Sequence, residues 1–266
     1  MTSEEKKDIY TMLEKASCWA YGYESPTFKD DDILFEDDVY EYIETQDQIP
    51  QDAESINLKP EKISTAEEEI SKLEILANKI SSCTNCVLSR SRNSTVPGEG
   101  VENPFVLVIG EAPGEEDNIT GKPFSGQEGQ LLDKMLAAIS LSRSTNTYIT
   151  NLVKCTTPRG RSPMQDEVSA CQGFLQAQIH ALKPKFILAM GRMAMQCLAD
   201  TSRGMNAVRG QWLSWNNIPM MATFHPSSLI HDPRLKAPAW EDLKKFKERL
   251  LEESPEYAKE FFMQAK

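Results

Sequence analysis

A 266-residue chain with formal net charge −11, 40% hydrophobic and 26% charged residues has the make-up of a soluble globular protein, holding one sizeable domain with an appendage or two small domains. No run of 18 apolar residues and no cationic start before an apolar stretch occurs, which speaks against membrane-spanning and secreted classes and makes a cytoplasmic setting the expectation. The acidity is local: residues 1–82 hold 21 Asp/Glu against 8 Lys/Arg and residues 83–266 hold 19 against 21, so a DNA partner is permitted to the larger part.

Apolar spacing predicts a helix over 4–22 through Ile9, Met12, Leu13, Ala16 and Ala20. Residues 24–62 mix acids, prolines and isolated hydrophobes and read as linker or loosely packed chain, with a short helix around 36–44. Helical period returns over Thr65–Ile80 and delivers the chain to Cys83-Thr-Asn-Cys86, after which Val87–Pro104 reads mostly as loop. Phe105–Ile109 is an unbroken apolar run, suited to a strand covered on both faces. It stops at Gly110-Glu111-Ala112-Pro113-Gly114, a tight turn at a strand's carboxyl end, where open α/β sheets place ligands. The loop Gly121-Lys-Pro-Phe-Ser-Gly126 reads as a pocket wall and precedes a helix with Leu132, Met135, Leu136 and Ile139 on one face.

Thr147–Val153 is β-branched and predicts a second buried strand running into Lys154-Cys155 and the loop 156–161. Ser162-Pro163, with Gln165 at the capping-box position, is the expected start of a helix whose face reads Val168, Cys171, Leu175, Ile179 and Leu182. Phe186–Met190 predicts a third strand, 192–198 a helix, and Ile218–Thr223, after Gln211–Trp215, the fourth main strand. That strand ends at Phe224-His225-Pro226-Ser227-Ser228; a last helix covers 237–251 and the final 15 residues read as a fraying extension. Strands alternating with helices imply a parallel sheet covered on both faces, with Gly110, Asn151 and His225 near carboxyl ends of strands, in the expected cleft.

Of six cysteines, Cys83, Cys86, Cys155 and Cys171 fall at ligand-like spacing. Four thiolates suit either zinc or [4Fe–4S], although Cys171 on an apolar helix face is also an ordinary core residue. Such a centre has no open position and would be structural, holding Arg159 and Arg161 on a surface where they meet phosphates. Cys18 and Cys197 read as structural.

GEAPGEED at 110–117, GKPFSG at 121–126, NLVKC at 151–155 with Cys171 beyond, and HPSSLI at 225–230 together resemble the family-4 uracil-DNA glycosylases, over roughly residues 75–250. The resemblance implies a three-layer α/β/α sandwich around a four-stranded parallel sheet in residues 75–251; an acidic extension over 1–74 and a tail over 252–266 lie outside it. It implies a [4Fe–4S] cluster on Cys83, Cys86, Cys155 and Cys171, and hydrolytic removal of uracil from DNA by water attack on a flipped nucleotide, without a lyase step. Carried over motif by motif, Phe124 packs on uracil, Asn151 reads its O4/N3–H edge, Ala112 lines the site, and His225 donates to O2. Glu111 and Asp117 are the acids for placing water, and Arg159, Arg161, Ser227 and Ser228 are the DNA contacts.

The chain departs from the family's pattern at Asp117-Asn118, where Glu-Asp is common, and at His231, where an arginine usually follows the HPS motif; Arg234 or Lys236 is the expected substitute. The expected partner is uracil-containing DNA, met by a monomer with no membrane, and the acidic extension is a candidate docking segment for another repair protein. Two other readings stand beside this one. A non-catalytic iron–sulfur DNA-binding protein is suggested by Asp117 and His231. A phosphate- or nucleotide-binding enzyme using the Gly110–Gly114 turn lacks a G-x-G-x-x-G run or P-loop Lys-Ser pair to support it.

Overall fold

The computed structural model describes residues 71–259, so the expected helices over 4–22 and near 36–44, the stretch 24–62 and Cys18 lie outside the described residues. The helices are α1 (Lys72–Ser81), α2 (Glu115–Thr120), α3 (Gln127–Ala137), α4 (Gln165–Leu182), α5 (Arg192–Ala199), α6 (Met205–Val208), α7 (Pro226–His231) and α8 (Lys236–Glu253). The strands are β1 (Glu99–Gly100), β2 (Val106–Gly110), β3 (Thr147–Asn151), β4 (Phe186–Met190), β5 (Trp212–Trp215) and β6 (Ile218–Thr223), in the order β1-β3-β2-β4-β6-β5. The four inner strands are parallel, as expected; β1 and β5 add an antiparallel edge on either side.

β2, β3 and β4 are buried at every residue because helices cover both faces. On one side Leu107, Ile109, Ile187, Ala189, Met220 and Ala222 pack with Leu175, Ile179 and Leu182 of α4 and with Ala194, Met195 and Leu198 of α5. On the other, Val106, Val108, Leu188, Met190 and Met221 meet Leu132 and Leu136 of α3 and Leu243, Phe246 and Leu250 of α8. Register then aligns the carboxyl ends: Gly110 stands opposite Asn151, and Met190 opposite Thr223.

Four local expectations are corrected. β5 and β6 form a hairpin through Asn216 and Asn217, whose positive φ values of 44° and 67° suit a tight two-residue turn. α1 starts at Lys72, where Ser71 and Glu74 make a reciprocal capping box, rather than running unbroken from Thr65. α4 begins at Gln165 with Met164 as its N-cap; the capping carboxylate is Glu167, which accepts from the Met164 N–H at 2.8 Å, and Ser162-Pro163 stays outside. The residues after α8 do not simply fray. Tyr257 is buried, stacks on Phe105 at 5.3 Å and donates its hydroxyl to the Ile139 carbonyl at 2.9 Å. Among the described residues no helix is long and apolar enough to cross a membrane.

Candidate active site

The site begins with Gly110, the last residue of β2, beside Asn151, the last of β3. A Cβ on residue 110 would fall 2.3 Å from Asn151 Oδ1 and 2.7 Å from Phe124 Cζ, so only glycine lets the amide and the ring approach each other over the turn. Asn151 is fully buried, yet neither Oδ1 nor Nδ2 has a hydrogen-bond partner among the described residues. Leaving such groups unpaired costs about 1–3 kcal/mol each, so the amide as placed is a cost to the fold.

Phe124 adopts φ 53°, an unfavourable conformation for an aromatic residue, and is buried. Arg143 holds it there, donating to the Pro123 carbonyl at 2.7 Å and the Phe124 carbonyl at 3.0 Å. Gly129 completes the clamp: a Cβ at that position would lie 1.7 Å from the Phe124 carbonyl oxygen. The Phe124 ring centroid sits 5.3 Å from that of His225, at 33° between planes.

His225 is the N-cap of α7. Its Nδ1 accepts from the Ser227 N–H at 3.3 Å and lies 2.8 Å from Ser227 Oγ. With Nδ1 accepting, the proton of the neutral ring belongs on Nε2, which is buried and without a partner among the described residues. Burial pulls the His225 pKa down to about 4, against an opposing pull from Asp117. Phe124, Asn151 and His225, distant in sequence, are thus brought together at the carboxyl end of the sheet, with the Phe124 ring beside the imidazole and both the ring and the amide over Gly110.

The acids are placed differently from expectation. Asp117 uses both carboxylate oxygens on backbone: Oδ2 accepts from the Gly114 N–H at 3.1 Å and Oδ1 from the Ser125 N–H at 2.7 Å. A short side chain at the third position of α2 folds back on its own N-cap, so it ties the two pocket loops together. Asn118 likewise pins the preceding loop, accepting from the Asn93 and Ser94 N–H groups. Glu111 reaches the start of α5, where Oε1 accepts from the Met193 N–H at 2.8 Å, and burial raises its pKa.

Sequence reasoning passed over Glu128, in the first turn of α3, whose Oε2 lies 3.9 Å from His225 Nδ1. Its pKa is raised by burial first and then by Asp117, with exposed His231 nearby acting the other way. It also passed over Arg143, whose role depends on a loop far from Phe124 in sequence.

The four proposed DNA contacts divide. Arg159 is exposed, but Arg161 forks onto buried Glu167, with Nη1–Oε2 2.8 Å and Nη2–Oε1 2.5 Å, to fix the start of α4. Ser227 faces the histidine, as described, and half-buried Ser228 donates its N–H to the His225 carbonyl at 2.9 Å. Arg234, one candidate for the missing arginine, is bidentate to Asp232.

Cys83, Cys86, Cys155 and Cys171 line one cavity together with Arg92, Lys154 and Phe174. Arg92 donates to Cys155 Sγ at 3.3 Å, the Asn85 N–H to Cys83 Sγ at 3.5 Å, and the Lys154 N–H to Cys171. Burial raises the Cys155 thiol and pushes Cys171 up to about 11. Among the described residues no three His, Cys, Asp or Glu side chains converge tightly enough for a single metal ion. Cys197 lies outside this cavity, partly buried against the cluster of Leu88, Val153, Cys155, Val168 and Cys171.

A parallel sheet covered by helices on both faces, with an aromatic ring, an unpaired amide and a neutral imidazole side by side at its carboxyl edge, defines an open α/β protein whose candidate site lies at the strand ends. The family model described as the uracil DNA glycosylase superfamily matches residues 97–244, and the chain belongs to that superfamily. Among its relatives, the type-4 uracil-DNA glycosylase of Saccharolobus solfataricus is 37% identical over 187 residues, covering 67% of this chain and 86% of the relative. The type-4 uracil-DNA glycosylase of Sulfurisphaera tokodaii is 34% identical over 184 residues, 66% of this chain and 84% of its own. That of Thermotoga maritima is 36% identical over 179 residues, 66% of this chain and 93% of its own.

Proposed function

We propose that this protein hydrolyses the N-glycosidic bond of deoxyuridine in DNA, releasing uracil and leaving an abasic site. The observation that carries the reading is the convergence of Phe124, Asn151 and His225 with three buried, unpartnered polar atoms: Asn151 Oδ1 and Nδ2, and His225 Nε2. Uracil offers one acceptor and one donor on its O4/N3–H edge; the Asn151 amide supplies the complementary pair, and Phe124 covers one face. As the bond breaks, negative charge grows on uracil O2, and the Nε2–H of neutral His225 is the donor for it. Ser227 fixes the tautomer. Of the two acids, Glu111 is the one to orient water, because Asp117 is committed to backbone. Arg159 and Ser228 are the phosphate contacts.

The cysteine cavity fits a [4Fe–4S] cluster. Its donors are all sulfur, they surround a space rather than a point, and guanidinium and N–H groups face them, as anionic thiolates require. Cys83, Cys86, Cys155 and Cys171 would hold the cluster, which supplies cross-linking rather than chemistry on the substrate. Protein purified anaerobically is expected to absorb broadly near ~400 nm and to contain about four irons per chain. Stoichiometric zinc without iron would overturn that assignment.

Uracil removal is tested with single-stranded and duplex oligonucleotides bearing one uracil, followed by alkaline cleavage of abasic sites. Strand scission at uracil alone is the expected result. Intact substrate at enzyme excess would return the non-catalytic DNA-binding reading.

A further inference from the structure

Lys154 is only 1% exposed and is among the largest fully buried side chains. Its Nζ donates to Thr150 Oγ1 at 2.7 Å and to the Asn151 backbone carbonyl at 2.8 Å. Thr150 Oγ1 passes a hydrogen bond on to the Pro97 carbonyl at 2.7 Å, which also accepts from Gln178 Nε2 at 2.7 Å, and the Lys154 carbonyl accepts from the Val96 N–H at 2.8 Å. The ammonium therefore ties the end of β3 to the loop before β1 and to α4.

The partners that Lys154 does have are all neutral oxygens. Among the described residues no carboxylate acts on it, and Cys171 is the one group that opposes the effect of burial on it. Buried cations are paired with anions, and in a loaded site those anions would be the ligated thiolates of the cysteine cavity that Lys154 itself lines. One residue thus contacts the peptide that carries the candidate base-reading amide and also lines the cysteine cavity.

We propose that Lys154 is a positioning residue with two jobs: its N–H groups fix the strand-end peptide that aims Asn151, and its charge balances the ligated thiolates. The second job rests on the iron–sulfur reading; the first does not. In a Lys154→Met variant of the full chain, purified with its cluster, kcat for uracil release from a single-stranded oligonucleotide is expected to fall roughly 10- to 100-fold, because the amide is no longer held in its reacting geometry. KM should stay within about threefold, since Lys154 touches no substrate. Dye-mediated titration with dithionite should find the cluster harder to reduce, because a nearby positive charge that favours the reduced form has been removed. Lys154→Gln, which keeps an N–H donor but no charge, should recover part of the kcat while keeping the shifted potential.

Parent kcat and parent potential in an iron-replete Lys154→Met protein would overturn the proposal. So would an activity loss only in proportion to iron lost, with the remaining cluster unshifted, since that describes a merely structural lysine. If Lys154→Met does not accumulate as folded protein, Lys154→Gln decides, and a parent potential there overturns the charge role. If the parent chain carries zinc, the charge role falls with the cluster reading, while the kcat of Lys154→Met still decides the positioning role.

Discussion

Truncating Asn151 to alanine is expected to lower kcat/KM for uracil release by at least ~1,000-fold while leaving the Tm unchanged or a few degrees higher. The two halves of this result have separate causes. A site that hydrogen-bonds a ring edge loses about 10⁴–10⁵ in discrimination when the matching groups are missing, and both the donor and the acceptor for that edge come from this one amide. For the fold, the same amide is a cost, because Oδ1 and Nδ2 are buried without partners among the described residues. Removing them recovers desolvation of about 1–3 kcal/mol per group, less whatever packing the side chain provides. In a domain of this size 1 kcal/mol corresponds to roughly 2–4 °C. Asn151→Asp should be as inactive, since a carboxylate offers no donor to O4, but less stable, since it buries a charge at the same place. The measurement is a steady-state uracil-release assay beside a thermal melt. A Tm several degrees below the parent would mean that Asn151 supports the end of β3 rather than the substrate, and the pocket reading would fail.

The four parallel strands were legible because burial on both faces forces unbroken apolar runs, and Val106–Ile109 and Phe186–Met190 have no other sensible use. The edges were not. β1 is two residues long and exists because the backbone at Glu99 and Gly100 pairs with β3, so no pattern of side chains announces it. The β5–β6 hairpin had a signal in Asn216-Asn217, residues that tolerate positive φ, but Ile218–Thr223 reads equally well as an isolated strand. Within the site, the residues that come together at the strand ends were readable from their motifs, whereas the residues that hold them were not. Arg143 acts on Phe124 through carbonyl oxygens, and any residue has a carbonyl. Asp117 is a related case: composition presents a free acid, and only the fold shows both oxygens bound to N–H groups. Tyr257 is the same lesson at the chain's end, where one aromatic finds Phe105 across the fold.

Replacing His225 by alanine is expected to lower kcat by about 100- to 1,000-fold, the usual cost of one donor to a developing oxyanion. The pH dependence distinguishes a neutral donor from an imidazolium. With its pKa pulled down to about 4, His225 is neutral throughout the physiological range, so the parent's kcat should show no inflection near about 6.5, where an unperturbed histidine titrates. An activity that rises as pH falls through that value would instead require the charged ring. Stability carries the same information with a definite sign. Between about 6.5 and 4 the unfolded chain binds a proton at His225 that the folded chain does not, so the folded state loses stability as pH falls through that window and keeps it above. The loss amounts to about 3 kcal/mol when complete, and roughly 2–3 kcal/mol of it is incurred by pH ~4.5. His225→Ala removes this contribution and leaves every other acid-sensitive group in place. Urea unfolding of parent and variant at pH ~7 and pH ~4.5 should therefore show the parent losing more stability than the variant by that amount, even though carboxylates titrate in both. Equal losses would show that His225 is already solvated or paired in the folded chain, and a buried Nε2–H could then not be the group that receives the charge on uracil.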